Sequence, residues 1–355
     1  MQTRIFNIIN SKGCKFTASF LFLACNLQSA SAEFLPKAAI DTNEIPEITI
    51  SGKDQDNTPL PCYKLTEDTY FLYGNIAEID DKNRGFNGNA GFIVTRDGVV
   101  AIDSLGSPLL GRRLLATIRH VTDKPVRYLI ITHNHPDHSY GAIAFSKIPG
   151  IRIIGHEGTL AYLSSPNFQD SVDFRNTLIK KDMQGFKGID PDILISGKRY
   201  DHQTISLGGK TFDIYNLGQH HSYGDLLVHQ KEDRLLWISD LAFNNRSTYM
   251  GDGHSVQVLE SIDWMRKQFP DIQLMVPGHG SAQTAPFPMV GNTYQYVKRL
   301  RDEMKKAVNG NEDLASAVKN SDFTDWHGVR LYDENHKKNA NFIYLEQEQE
   351  AFSTH

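Results

Sequence analysis

The sequence predicts an α/β chain in which two sheets pack face to face and helices cover both outer surfaces, a four-layer αβ/βα sandwich. Two observations point there. Short apolar runs of strand length come in two series, one on each side of residue 186. Helical stretches lie between and after them. The 355 residues, 40% hydrophobic and 22% charged, suit an ordinary globular protein of one large domain or two small ones. No short-period repeat is present.

Residues 1–32 read as a signal peptide. Arg4, Lys12 and Lys15 form a basic start, Phe16 to Leu27 is apolar, and Ala30-Ser31-Ala32 is an A-x-A cleavage site. The apolar run is too short to span a membrane. Cleavage after Ala32 removes three positive charges and takes the formal charge from −5 to −8. That balance argues against a nucleic-acid partner, which usually meets a basic face. Cleavage also removes Cys14 and Cys25 and leaves Cys62 alone, so neither a disulfide framework nor a thiolate metal site is indicated. Leu23-Ala24-Cys25 faintly resembles a lipoprotein site, but Phe22 stands where such sites usually carry Leu; export to the periplasm or beyond ranks first.

Residues 33–62, with Pro36, Pro46, Pro59 and Pro61, read as an extended lead-in. The main domain is expected over 63–310. Strands are predicted at Tyr70 to Tyr73, Gly91 to Thr95 and Val99 to Ile102, with Asn87-Gly88-Asn89 and Asp97-Gly98 as turns. Ser107-Pro108 caps a helix carrying Leu109, Leu110, Leu114, Leu115 and Ile118 at helical spacing, and Lys124-Pro125 stops it. Val126 to Ile131 is a buried strand. Ala142 to Ile148 is helical, Ile151 to Ile154 is a strand ending at His156, and a helix-leaning stretch runs to Phe186. The second strand series is Gln203 to Leu207, Thr211 to Asn216, Leu226 to His229 and Leu235 to Ser239. Ser261 to Phe269 is a helix, Ile272 to Val276 a strand, and Tyr294 to Val308 an amphipathic helix. The charged tail, 311–355, is expected to form a short helix and strand or to stay mobile.

The chain is organised around Thr132-His133-Asn134-His135-Pro136-Asp137-His138, directly after the Val126 to Ile131 run. Imidazole nitrogen and carboxylate oxygen are ligands zinc favours at neutral pH. In an extended segment His133 and His135 face one side and can grip one ion. Asp137 and His138 then turn toward a second position, with Asn134 and Pro136 supplying turn chemistry. A bare H-x-H-x-D-H arises by chance in a chain of this composition with odds of about 0.002. Three further strand-end clusters add weight. In Gly218-Gln219-His220-His221-Ser222-Tyr223-Gly224-Asp225, His221 is the choice for the third ligand of the first ion, with His220 the competitor. Asp240 ends a strand and suits a bridge between two cations. His279, in Pro277-Gly278-His279-Gly280, suits the second ion.

This constellation resembles the metallo-β-lactamase superfamily over roughly Tyr63 to Val308. The shared pattern is Asp103 after an apolar strand, the His133 to His138 motif, the Gly-x-x-His-Ser-x-Gly-Asp around His221, Asp240, and the Gly-His at His279. The resemblance implies the αβ/βα fold with two metals at one edge: His133, His135 and His221 at one, Asp137, His138 and His279 at the other, and Asp240 between them. Lactamases with a metal-binding cysteine carry it where this chain has Asp240, and subclass B3 lactamases lack a bridging aspartate. Asp240 looks more like the hydroxyacylglutathione hydrolase branch. Asp240-Leu-Ala-Phe-Asn-Asn-Arg246, Trp264 and the tail Asn339 to Glu346 look like the exported quinoprotein relay system zinc metallohydrolases.

The expected function is therefore an exported dinuclear zinc hydrolase that cleaves an ester, thioester, lactone or amide with a metal-bound hydroxide, Asp137 and Asp240 steering the nucleophile. Iron or manganese is the alternative metal. Ser222 reads as a turn residue. His156, His220, Tyr223 and Arg246 are candidates to line the cleft. The expected partners are a small-molecule substrate and a quinoprotein pathway component, with no nucleic acid and no stable membrane span. The rivals are a B3-like β-lactamase, an iron-dependent redox protein of the same fold, and a non-catalytic accessory protein of a quinoprotein pathway.

Overall fold

The computed structural model describes residues 40–42, 45, 47–51 and 55–353. The signal segment 1–32, with its cleavage site and both of its cysteines, lies outside the described residues. Cys62 is buried, and burial pushes its thiol up to about 12.

Seven strands form the first sheet in chain order: β1 (Tyr63–Lys64), β2 (Thr69–Leu72), β3 (Ala90–Val94), β4 (Val99–Ile102), β5 (Val126–Ile130), β6 (Arg152–His156) and β7 (Ile193–Ile195). The pairs up to β3–β4 are antiparallel and those from β4–β5 onward are parallel. The second sheet runs β8 (His202–Leu207), β9 (Lys210–Gly218), β10 (Asp225–Gln230), β11 (Leu235–Ser239), β12 (Leu274–Pro277) and β13 (Gln283–Thr284), again in chain order. Only β11–β12 is parallel there. Each parallel pair needs a crossover. Helix α1 (Pro108–Val121) joins β4 to β5. The short α2 (Pro136–Ser139) and α3 (Ala142–Phe145) join β5 to β6, α4 (Gly158–Leu163) and α5 (Pro166–Ile179) join β6 to β7, and α6 (Ser255–Gln268) joins β11 to β12. Three helices follow: α7 (Pro288–Asn309), α8 (Leu314–Asn320) and α9 (Tyr332–Ser353).

Period-2 alternation with both faces apolar makes the layers. In β4, Val100 and Ile102 point into the core between the sheets, where Ile130, Ile214, Val228 and Trp237 meet them. Val99 and Ala101 point outward onto Leu110, Leu114 and Ile118 of α1. In β11, Leu235 and Trp237 face the inner core, while Leu236 and Ile238 face α6 and α7. Each leucine or isoleucine buried this way contributes about 1.5–3 kcal/mol. Helix α1 starts as its sequence dictates: Ser107 accepts the Leu110 amide at 3.2 Å and Pro108 opens the first turn. The described stretches of the lead-in also pack on the body. Ile40 bridges to Ala282, and the Leu60 amide donates to Thr117 Oγ1 at 2.7 Å.

The structure departs from expectation in the tail. In place of a short helix and strand, or a mobile segment, it builds α8 and a 22-residue α9 whose Ala340, Ile343 and Tyr344 pack in one core with Val297, Leu300 and Met304 of α7. Burial along α9 follows helical spacing at 332, 335, 336, 339, 340, 343, 344 and 347, but half of those positions are polar. Asn339 accepts from the Met250 amide at 2.9 Å and donates to Thr248 O at 2.8 Å. Glu346 accepts from the Ser255 amide at 3.1 Å and so caps α6, which has no side-chain cap of its own. Helices α6 and α7 also start earlier than predicted, at Ser255 and Pro288.

Candidate metal centre

Strand register brings the chemistry to one edge of the sandwich. Parallel pairing of β4 with β5 sets Ile102 beside Ile130, so Asp103 lies next to Thr132. Parallel pairing of β11 with β12 sets Ser239 beside Pro277, so Asp240 neighbours the Gly278-His279 turn. Thr132 ties the sheets together. Its carbonyl accepts the Leu226 amide at 2.8 Å, and its hydroxyl lies 2.7 Å from Ser239 Oγ. Asp103 and Ser239 both sit at positive φ, 59° and 47°, a sparsely populated conformation for non-glycine residues that recurs at functional strand ends.

Two groups of side chains that could hold a metal ion meet there: His133, His135, His221 and Asp240 in one, and Asp137, His138 and His279 in the other. In each group the ligand atoms lie within 4.8 Å of one another. Asp240 stands between the groups. Its Oδ2 is 3.0 Å from His221 Nε2, 3.9 Å from His133 Nε2 and 3.3 Å from His279 Nε2; its Oδ1 is 3.6 Å from His138 Nε2. Asp137 Oδ2 is 3.5 Å from His279 Nε2 and 3.8 Å from His138 Nε2.

The far side of each ring is held. Asp103 receives His138 Nδ1 at 2.9 Å while also accepting the Thr132 amide and hydroxyl. His279 Nδ1 donates to Asn87 O at 2.7 Å. His135 Nε2 meets Asp252 Oδ2 at 3.1 Å, which leaves its other ring nitrogen for an ion. Such outer partners fix tautomer and ring orientation at metal sites. His138 and His279 then turn their Nε2 atoms toward each other at 3.5 Å. His133 Nε2 and Asp240 Oδ1 are buried with no hydrogen-bond partner. Lone pairs aimed at one another, with orphaned acceptors beside them, are what a cation between them would satisfy. Five imidazoles and two carboxylates, without a thiolate, suit zinc and related first-row dications.

The buried charges act strongly on one another. Burial and the neighbouring His138 hold His133 well below its ordinary value. Burial would lower His138 too, but Asp137, Asp240 and Asp103 around it push it up to about 9. Burial opposes ionisation of Asp240, yet His279, His138 and His221 hold it well below the carboxylate range. Asp137 is likewise held low against burial by His138, His279 and Arg175.

Glycines permit the close approach. A Cβ at Gly278 would lie 1.8 Å from Asp240 Oδ1, and one at Gly224 would lie 1.9 Å from His156 Nδ1. The His221 loop is tied by Asp225, which accepts the His221 and Ser222 amides and the Ser222 hydroxyl, so Ser222 is a turn residue. His220 lies outside both ligand groups. It is buried, with neither ring nitrogen hydrogen-bonded, and its ring centroid is 6.5 Å from that of His221.

A cleft of about 440 Å³ opens in front of the centre, with His135, Asp137, His221, Asp240 and His279 in its floor. Arg246 lines it, as expected. His156, His220 and Tyr223 do not. His156 is hydrogen-bonded to Asn216 and the Gly158 amide, and Tyr223 packs on Tyr162. Sequence reasoning did not pick out Asp252, whose one local clue is its place between Gly251 and Gly253, nor the cleft residues Asn87, Arg175 and Lys338.

Residues 83–279 match the family model described as Metallo-beta-lactamase superfamily. The chain is similar to metallo-beta-lactamase IND-1 of Chryseobacterium indologenes, 24% identical over 197 residues that cover 55% of this chain and 72% of that protein. Among solved structures, a metallo-beta-lactamase from Pontibacter korlensis superposes with a TM-score of 0.54 at 17% identity, over 67% of this chain and 99% of that one. An inverting sec-alkylsulfatase from Pseudomonas sp. superposes with a TM-score of 0.64 at 14% identity, over 80% of this chain and half of that one. At these identities the structural likeness bears on the fold.

Proposed function

The chain belongs to the metallo-β-lactamase superfamily and is a hydrolase of it, and we propose that it is an exported dinuclear zinc enzyme that cleaves an ester, thioester, lactone or amide. The observation that carries this reading is the convergence of seven nitrogen and oxygen donors, in two groups sharing Asp240, on the floor of an open cleft. In it His133, His135 and His221 would hold one ion and Asp137, His138 and His279 the other, with Asp240 shared between the two groups. Zinc at such a centre supplies Lewis acidity and draws the pKa of bound water toward neutrality. The protein's own groups supply the rest. Asp103 and Asn87 O fix the tautomers of His138 and His279, and Asp252 orients His135. Asp137, kept ionised and lining the cleft, is placed to take the proton of the attacking water. Asp240 steers the nucleophile and offsets the repulsion between two cations.

The β-lactamase reading draws support from the similarity to IND-1. Export, a periplasmic setting and service to a quinoprotein pathway rest on the N-terminal pattern and the residues around Asp240 and Asn339. No helix among the described residues is long and apolar enough to cross a membrane.

Metal analysis of the mature chain, with an ester, lactone and lactam panel, tests the proposal. Two zinc ions per chain and hydrolysis of an ester or lactone are expected. Turnover of nitrocefin alone would favour the lactamase, whereas tightly bound iron with oxygen uptake, or no turnover of any substrate, would overturn the reading. Intact mass of the exported protein should begin at Glu33; a start at Met1 or at a lipidated Cys25 would refute the export step.

A further inference from the structure

One wall of the cleft carries donors that the metal centre does not use. Helix α9 contributes Asn335 and Lys338, three residues apart and therefore on one face. Asn335 is 2% exposed, and its Nδ2 is buried without a hydrogen-bond partner. Lys338 forms no ion pair among the described residues. In the same lining Arg246 leaves its buried Nε without a partner while Nη1 rests against His279. Arg175 adds a further cation, close enough to Asp137 to lower it but without an ion pair among the described residues: it donates to Gly106 O at 2.9 Å and lies over Tyr140. On the acidic side, Asp252 is engaged by His135 and Asn167, Asp137 and Asp240 belong to the centre, and Glu78 is the one remaining carboxylate of the lining. Besides Asp240 Oδ1 at the centre, Asn87 Oδ1 is an orphan acceptor of the lining.

Lys338 is exposed, but Asn335 Nδ2 and Arg246 Nε are buried, and buried donors without acceptors are costly, so these two imply an acceptor that arrives with the ligand. The same cleft has an apolar flank. Phe174 of α5 is 56% exposed, and it and Tyr249 both line the cleft. The wall is rigid, because Asn339, next to Lys338, holds α9 to Thr248 and Met250 on either side of Tyr249. Asn335 and Lys338 lie beyond residues 83–279, the span that matches the family model.

We propose that α9 is the specificity wall of the site: Lys338 and Asn335, with Arg246, bind a carboxylate that the substrate carries away from its reacting bond, on an apolar body resting against Phe174 and Tyr249. The substrate class is then an amphipathic acid bearing a hydrolysable acyl bond. This rests on the hydrolytic reading above, and two independent readouts keep the two apart.

The first is calorimetric binding of 4-phenylbutyrate and of its neutral amide to the zinc-loaded protein. Coordination by the metal is common to wild type and variant, so the difference between them reports the wall. Lys338→Met should weaken the acid's binding roughly tenfold, as expected for loss of one charged hydrogen-bond partner, with the amide little changed, and Lys338→Arg should recover most of the loss. The second is the ratio of kcat/KM for mono-4-nitrophenyl pimelate to that for 4-nitrophenyl heptanoate. Wild type should favour the acid, and Lys338→Met should cut the ratio roughly tenfold, through KM. Equal binding of the acid by wild type and Lys338→Met, or a wild-type preference for the neutral ester, would overturn the proposal. If neither ester is cleaved, the hydrolytic reading fails on esters, and the binding comparison alone decides the role of α9.

Discussion

Gly278→Ala is the smallest change that should dismantle the centre while leaving the fold. The added Cβ would sit 1.8 Å from Asp240 Oδ1 and 3.0 Å from His138 Cε1. Real Cβ contacts do not fall below 3.0 Å, so something must move by at least about 1.2 Å, the difference between the two values. The backbone is not free to do so. The Gly278 amide donates to Ser239 O at 2.8 Å, its carbonyl accepts the Asn89 amide at 2.8 Å, and Asn89 Nδ2 grips Pro277 O and Gly280 O on either side. The displacement therefore falls on the Asp240 carboxylate, which touches ligands of both groups. Misplacement of a reacting group by about 1 Å costs on the order of 10²-fold in rate, and disturbed ligand support weakens metal affinity about 10–100-fold. The fold should lose only the about 1–3 kcal/mol typical of overpacking. Competition with a chromophoric chelator reads the affinity, and thermal melting of the metal-free protein reads the fold. Two ions held at wild-type affinity would refute the argument, because the carboxylate would then have room that the geometry denies it.

Three more predictions follow from the same contacts. Asp240→Asn keeps size but loses charge, so the ion at Asp137, His138 and His279 should be lost first and activity should fall by orders of magnitude; two tightly held metals with near-normal turnover would make Asp240 a strand cap. His221→Ala should lose bound metal while His220→Ala keeps it and loses stability, and metal counting showing the reverse would exchange their roles. Burial, helped by Lys337, lowers His336 to about 4, its ring held between Tyr296 and Ser321. Its folded pKa lies below its unfolded value near 6.5, so the unfolded chain binds the extra proton and stability falls as pH drops from about 6.5 to about 4, by at most about 3 kcal/mol. Melting curves across that range should show a smaller slope for His336→Gln, and identical slopes would assign the acid sensitivity elsewhere.

The two sheets were legible because alternation with both faces apolar is a local pattern, and Val99 to Ile102 and Leu235 to Ser239 appear in the structure with the same ends. Helix α9 was illegible because its buried stripe is half polar. Asn335, His336, Asn339 and Gln347 occupy positions that hydrophobic periodicity expects to be apolar, and at Asn339 and His336 hydrogen bonds to distant residues compensate the burial. The early start of α6 was hidden for a related reason: Glu346, more than ninety positions away, caps it.

At the centre the same division holds. The His133 to His138 motif, Asp240 and His279 could be read from residue types alone, because each follows an apolar strand and a strand end must present its next side chain at the sheet edge. Which ring nitrogen each histidine has free, and which of the adjacent His220 and His221 joins the cluster, depended on contacts across the two sheets. So did the pairing of Asp252 with His135 across 117 positions, and the place of Lys338 in the cleft wall. A sequence records the donors that a short segment can carry. Orientation and partnership arise only when segments far apart in the chain are packed together, because hydrogen bonds and burial act over a few ångströms of space and not over positions in the chain.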